Sequence, residues 1–339
     1  MTTTAYLYDA DGCDREVPLE SLNLADLDER SLLWIDCDDR GDPNLECIAA
    51  LIGFSPDCFK ANGDRPPSLD NYGDHFHFRV NAAPQHHEDL VGNEQPSADL
   101  HPSSSEETLS TPSIDFLVCK QVLVTVHDGP VACLQRFRTQ DKADTMIGLL
   151  SPQALAASLM DWHLGAFFVE VSRIETSVDK LDERVLRETT NKGLLGRMVA
   201  MRRRVSKLRA LLVGQRDVFY GLSRPDFALI TDAGAASFYQ ALSGRFERAL
   251  DEVERARDLV TGSFELFTSR SSQLTNDLVK ILTFVTAIIG FCAAVAGLLG
   301  MNFELSFFKS GWTGFLIVTA GLFLTGLLSM LYARHKEWI

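Results

Sequence analysis

Two long stretches of this sequence lack charge altogether. Ile281 to Phe303 and Ser310 to Ala333 contain no Asp, Glu, Lys or Arg. Proline is missing from Ala235 to Gly300, so nothing in that span forces a helix to stop. The seven cysteines, Cys13, Cys37, Cys47, Cys58, Cys119, Cys133 and Cys292, form no Cys-x-x-Cys pair. Their odd number and scatter exclude a disulfide framework and fit a reduced cytoplasm. A nucleophile elbow, a phosphate-cradling Gly loop and a closed set of metal ligands are also missing, which ranks a membrane-bound hydrolase last among function classes. Basic residues are scarce early in the chain. Residues 1–130 hold 7 Lys/Arg against 25 Asp/Glu, a balance of −18, so the remainder carries +4 of the total of −14. An acidic head argues against nucleic acid and against anionic lipid as its partner.

Each uncharged run has the ~20 residues a helix needs to cross a bilayer. Both come too late to be a signal peptide. Only a handful of residues separate them, so the chain crosses, turns and crosses back, with both ends on one side. Lys280 opens the first run, and Arg334, His335 and Lys336 follow the second. Basic flanks stay in the cytoplasm, so both termini are expected there, with the protein in the cell inner membrane. Trp312 and Trp338 bracket the second run where interfacial aromatics belong. The expected segments are membrane helix 279–303, outer loop 304–310, membrane helix 311–333 and a basic tail 334–339.

Thr286, Gly290, Ala293, Gly297 and Gly300 recur at steps of four and three, on one face of the first membrane helix. A stripe of small residues has two readings. It packs closely against another helix, or it forms a pore wall with room for a hydrated ion. Followed backwards, the stripe reaches Leu282 or Thr283, then Val279, then Asn276. A polar ring, an apolar constriction, a small-residue channel and a polar mouth make a conduction path. One such helix encloses nothing, so this reading requires a ring of identical chains.

The residues Lys280-Ile-Leu-Thr283, then Ala296-Gly297-Leu-Leu-Gly300-Met301-Asn302-Phe303-Glu304, then a second membrane helix ending in a basic and Trp cluster, resemble the CorA superfamily of divalent-cation transporters. Gly-Met-Asn alone is a weak signal, but at the outer end of the first helix of a C-terminal hairpin it is highly specific. Leu33-Trp34-Ile35-Asp36, Arg65-Pro66-Pro67 with Tyr72, and the long helical middle are similar to the family's cytosolic domain. The resemblance implies a homopentameric funnel whose first membrane helices line the pore. It implies Gly300, Met301 and Asn302 as an outer filter, with the Asn302 amide and the Gly300 carbonyl facing a cation that keeps much of its water while Met301 packs. That suits Mg²⁺, which dehydrates reluctantly. Asn276 matches a polar ring at the cytosolic end and Leu282 an apolar gate. The resemblance implies Mg²⁺ or a similar divalent ion (Co²⁺ or Ni²⁺) as cargo, with Zn²⁺ the alternative, and no resident cofactor.

The departures bear on cargo. Ser306-Phe307-Phe308-Lys309 replaces a Met-Pro-Glu-Leu segment common in relatives, leaving Glu304 as the only acid at the outer mouth. Val279, Gly290 and Ala293 stand where relatives often carry larger or more polar pore residues. The zinc-transporting ZntB branch shares the architecture and often varies the Met of the motif, so intact Met301 leans towards magnesium. Relatives place regulatory metal sites between protomers, and no motif locates one in this sequence.

The head alternates strand and helix signals. Ala5–Tyr8, Ser31–Asp36, His75–Val80, Ile114–Val118 and Val122–Val126 read as strands, the last two as a hairpin. Pro43 suits a helix start, and Ser55-Pro56 a second. A mixed α/β sheet domain over 1–130 is expected, with a flexible insertion at 85–111. His86, His87, Glu88, Asp89 and His101 lie in that insertion, near His75 and His77, but their spacing closes no zinc site. A helical region follows over 131–234. Its Leu194–Phe219 helix carries the basic run Arg197, Arg202, Arg203, Arg204, Lys207 and Arg209, paired with acids of the preceding helix such as Asp179, Asp182 and Glu183 rather than with nucleic acid. A stalk over 235–278 then runs into the membrane. Some 60 helical residues at ~1.5 Å each span about 90 Å, with Gly262 and Ser269–Ser272 as points of flexure.

Overall fold

The computed structural model describes residues 3–11, 14–19, 22, 24, 27, 30–55, 59, 65–84, 111–140, 145–187, 193–227, 229–230, 233–301 and 311–335. These fall into two compact units, residues 1–184 with 189–263, and residues 264–339 with 185–188.

The first unit is built on one sheet. Its strands are β1 (Thr3–Asp9), β2 (Arg15–Glu16), β3 (Ser31–Cys37), β4 (Ser68–Asn71), β5 (Phe76–Asn81), β6 (Ser113–Val118) and β7 (Val122–His127), in the order β2-β1-β3-β7-β6-β5-β4. All pairs are antiparallel except β3 with β7. That parallel pair is central, and its side chains are covered on both faces, which is why Leu32-Leu33-Trp34-Ile35 within β3 reads as a continuous apolar run. The expected β6–β7 hairpin forms, with Val118 opposite Leu123 and the Cys119 amide donating to the Val122 carbonyl. Helix α1 (Asn44–Ile52) covers one face, burying Leu45, Ile48 and Ala49 against Leu33, Ile35 and Val124. Gly53 ends α1 in the left-handed region at φ 85°, a conformation that glycine adopts freely. The expected helix at Ser55-Pro56 lies outside the described residues.

The other face meets the helices. Helix α2 (Ala132–Gln140) sets Phe137 edge-on against Trp34 at 5.7 Å between ring centroids. A 3-10 turn (Met146–Leu149) leads to α3 (Pro152–Arg187). Leu155, Leu159, Phe167, Val171, Ile174, Val178 and Val185 follow a three-and-four rhythm and are buried. By length and composition α3 could cross a membrane, but most of its apolar stretch is buried within the protein, so it is a core helix.

The expected Leu194–Phe219 helix is two helices, α4 (Leu194–Gly214) and α5 (Arg216–Leu222), parted at Gln215. The Gln215 side chain is fully buried. Its amide nitrogen donates to the carbonyls of Leu211 and Asn81, and its Oε1 lies 2.8 Å from His163 Nε2. The basic run on α4 is a charged helix face that pairs with an acid of the preceding helix, as expected, and also with one of the following helix. Arg204 pairs with Glu170 of α3 at 2.5 Å, and Arg209 pairs with Glu254 of the next helix.

That helix, α6 (Ala233–Leu299), is 67 residues long and carries the chain from the first unit into the second. It continues without a break through Gly262 and Ser269–Ser272. Helix α7 (Gly311–His335) completes the described chain.

Candidate ion-conducting helix

From Lys280 onward α6 is coated with apolar side chains that the chain itself leaves largely open. None of its most apolar stretch is buried, and almost none of that of α7. Such surfaces need lipid or further protein around them.

The openness is not uniform. Ile281, Phe284, Ile288, Cys292, Val295 and Leu299 are partly covered, at steps of three and four. In α7 the covered positions are Gly314, Val318, Thr319, Leu322, Thr325, Gly326, Ser329 and Ala333. Each membrane-capable helix therefore covers one stripe within its own chain. The small-residue stripe of α6 is elsewhere. Thr286, Gly290 and Gly297 each follow a covered residue by two positions, ~200° around the axis at ~100° per residue. They lie on the opposite face, with Asn276, Val279, Leu282 and Ala293, all exposed. A Cβ built on Gly290 or Gly297 would meet nothing within 4 Å. Packing within one chain thus gives no reason for glycine at either position.

Leu282 is 66% exposed and Val279 53%, so two apolar side chains project from the open face one turn apart. Thr286 turns its hydroxyl back, donating to the Leu282 carbonyl at 2.7 Å and leaving the oxygen's lone pairs outward. Lys280 and Asp277 pair at 3.0 Å on the exposed surface just before the apolar stretch.

At its far end α6 tightens. The Gly300 amide donates to the Ala296 carbonyl at 3.0 Å, and the Met301 amide to the Leu298 carbonyl at 3.3 Å. A helix end presents carbonyls with roughly half a negative charge, a local attraction for cations. Met301 is 49% exposed within this chain, where packing was expected. Asn302 and Glu304 lie outside the described residues, as do His86, His87, Glu88, Asp89 and His101. Of the histidines expected near that cluster, His77 is a core residue, with Nε2 2.7 Å from Asp115 Oδ1, and His75 stacks on Tyr72 and pairs with Asp74. Among the described residues no group of three or more His, Cys, Asp or Glu is placed to hold a metal ion.

The profile of the CorA-like Mg²⁺ transporter family matches residues 29–335. The chain belongs to that family. A cobalt/magnesium transport protein CorA of Thermotoga maritima is 28% identical over 186 residues, 55% of this chain and 52% of that protein. The CorA of Methanocaldococcus jannaschii is 21% identical over 339 residues, 97% of both chains. The complete structure of the M. jannaschii CorA magnesium transporter superposes with a TM-score of 0.73 at 18% identity, covering 100% of each chain. The cytoplasmic domain of ZntB from Vibrio parahaemolyticus superposes at 0.58 and 14% identity, covering 80% of this chain and 100% of that one. At these identities the structures show a shared fold. As a CorA-family protein the chain belongs among integral-membrane transporters of divalent cations rather than among enzymes, and its two bare apolar helices are the elements suited to the bilayer.

Proposed function

We propose that this chain conducts hydrated divalent cations, Mg²⁺ foremost, through a pore formed by a homopentamer in the inner membrane, with both termini cytoplasmic. The observation that carries this reading is the placement of the small-residue stripe on the open face of α6, opposite the side the chain covers itself. In a ring of chains, Thr286, Gly290, Ala293 and Gly297 would line a wide conduit, because small side chains leave a hydrated ion its water. Val279 and Leu282 would form the apolar constriction below it, and Asn276 the polar ring at the cytosolic entrance. Gly300, Met301 and Asn302 would form the outer filter and Glu304 the outer mouth, where converging helix ends add negative potential. Asn302 amides would hydrogen-bond the ion's water, which favours an ion that holds its hydration shell.

Narrowing the conduit tests this directly. Gly290→Phe should abolish Mg²⁺ uptake while the purified protein keeps its oligomeric size and its thermal stability. Uptake within twofold of the parent protein in the presence of that ring of phenylalanines would rule out Gly290 as pore lining.

Zn²⁺ is the second cargo to consider, because the fold is shared with the ZntB cytoplasmic domain. A membrane-anchored sensor or scaffold would leave the open glycines without a purpose, and ranks below both.

A further inference from the structure

Within the first unit, α6 turns one face into the core and leaves the opposite face bare. Leu242, Phe246, Ala249, Val253, Ala256 and Val260 are buried. Gly244, Arg248, Asp251, Arg255, Asp258 and Gly262 each follow one of them by two positions, ~200° around the axis at ~100° per residue, and all six are exposed. Their alternate steps of four and three make one stripe along the helix, the spacing of a seam between parallel helices. The charges on it alternate in sign, Arg-Asp-Arg-Asp. Among the described residues Arg248, Asp251 and Asp258 have no ion-pair partner. Arg255 pairs with Glu252 and still exposes 60% of its side chain. A glycine closes each end of the stripe. A Cβ on Gly244 or Gly262 would meet nothing within 4 Å, so packing within the chain does not call for glycine, which weakens a helix interior.

We propose that copies of this chain meet along this stripe, with Arg248 and Arg255 of one copy pairing with Asp251 and Asp258 of the next. The proposal rests on the ring of identical chains invoked for the conduit. In such a ring the copies of α6 run parallel and in register, so symmetry sets identical residues at one height. A stripe of one sign would repel itself there. With alternating signs, each Arg finds an Asp of its neighbour three or four residues along, ~4.5 or ~6 Å away in height, which a long guanidinium side chain can span. Two cations and two anions make the stripe neutral towards a copy of itself, whereas a partner of one sign would satisfy only half of it. The bare glycines let neighbouring backbones approach at both ends.

Mass measurement of the purified full-length protein in detergent, over a dilution series and with EDTA present so that no divalent ion bridges the aspartates, tests this proposal. Two variants give the stripe a single sign: Arg248→Glu with Arg255→Glu, and Asp251→Arg with Asp258→Arg. Each should raise the concentration at which the assembly dissociates about tenfold or more. Exchanging all four residues together restores the alternation, and should return dissociation to within about threefold of the parent protein. Salt separates the cause and needs no substitution in the parent. At about 1 M NaCl the parent assembly should weaken, because attraction is screened, while both single-sign variants strengthen, because repulsion is screened. Dissociation unchanged in a single-sign variant that keeps the parent's circular dichroism, a four-residue exchange as weak as either pair, or a parent assembly indifferent to salt would each overturn the proposal and leave the ring standing. A parent protein that forms no assembly would refute the ring itself, and the stripe contact with it.

Discussion

Asp115 is fully buried at the centre of the sheet, where His77 lies 2.7 Å away, Arg79 donates at 2.7 Å and Arg40 pairs with its second oxygen. Burial pushes its carboxyl upward, but the hydrogen bonds from His77 and Arg79 and the charge of Arg40 outweigh that and hold it below the usual range. Asp115→Asn removes the buried carboxylate that Arg40 and Arg79 share, leaving Arg40 to the half-exposed Asp128, for an expected loss of ~3–5 kcal/mol in denaturant unfolding. A loss under ~1 kcal/mol would contradict this account of the cluster. His163 behaves differently. It is fully buried between Phe167 and Phe219, and burial lowers its pKa to about 4, with the Gln215 hydrogen bond opposing. Between pH ~6.5 and ~4 the unfolded chain takes up a proton that the folded one refuses, so stability is full above that window and falls as pH drops through it. The melting temperature should fall from pH 7 to pH 5, and His163→Gln should flatten that slope. An identical slope in the variant would show that His163 is not the group responsible. Neither cluster was legible in the sequence. The period-two pattern places His77, Arg79 and Asp115 on strands, but only the pairing of β5 with β6 brings residues 38 apart into one ion cluster.

The long helices were legible because their signals are local and repeated. The rhythm of α3 and the proline-free run of α6 survive folding unchanged, since tertiary packing uses the same faces that periodicity marks. The division at Gln215 was not legible. No proline marks it, and its cause is a buried amide recruited by His163 and by the Asn81 carbonyl, groups distant in sequence. Strands β2 and β4 escaped notice because two and four mostly polar residues carry no pattern. Of the proposed conduction path, the positions along α6 could be read from spacing. Which face the chain leaves open could not, since that depends on what covers Phe284, Ile288 and Val295. Ser271→Pro, inside the unbroken α6, removes a helical hydrogen bond at a cost of ~3 kcal/mol and should sharply reduce Mg²⁺ uptake. Uptake equal to that of the parent protein would mean that α6 need not be continuous for transport. Residues 85–111, in contrast, leave and re-enter the sheet at neighbouring points, since the Ala82 amide donates to the Pro112 carbonyl at 2.9 Å. Replacing them with a short Gly-Ser linker should leave uptake within about twofold, as closing a shorter loop costs little. A larger loss would assign the insertion a part in transport.

For the whole molecule, the uneven charge and the bare apolar helices describe a protein divided between water and lipid. The first 130 residues carry −18 and the rest +4, with Lys280, Arg334 and Lys336 beside the uncharged runs. Membership of the CorA-like family makes divalent cations the cargo class, and the proposed conduit needs a ring of chains, each lending the small-residue face of α6. The measurement that tests this most directly is uptake of Mg²⁺ and Zn²⁺ into proteoliposomes, side by side, with Asn302→Ala as the paired variant. Saturable Mg²⁺ entry that the variant abolishes is the predicted result. Zn²⁺ entry driven by a proton gradient with little Mg²⁺ entry, or no flux of either ion from well-assembled protein, would contradict it.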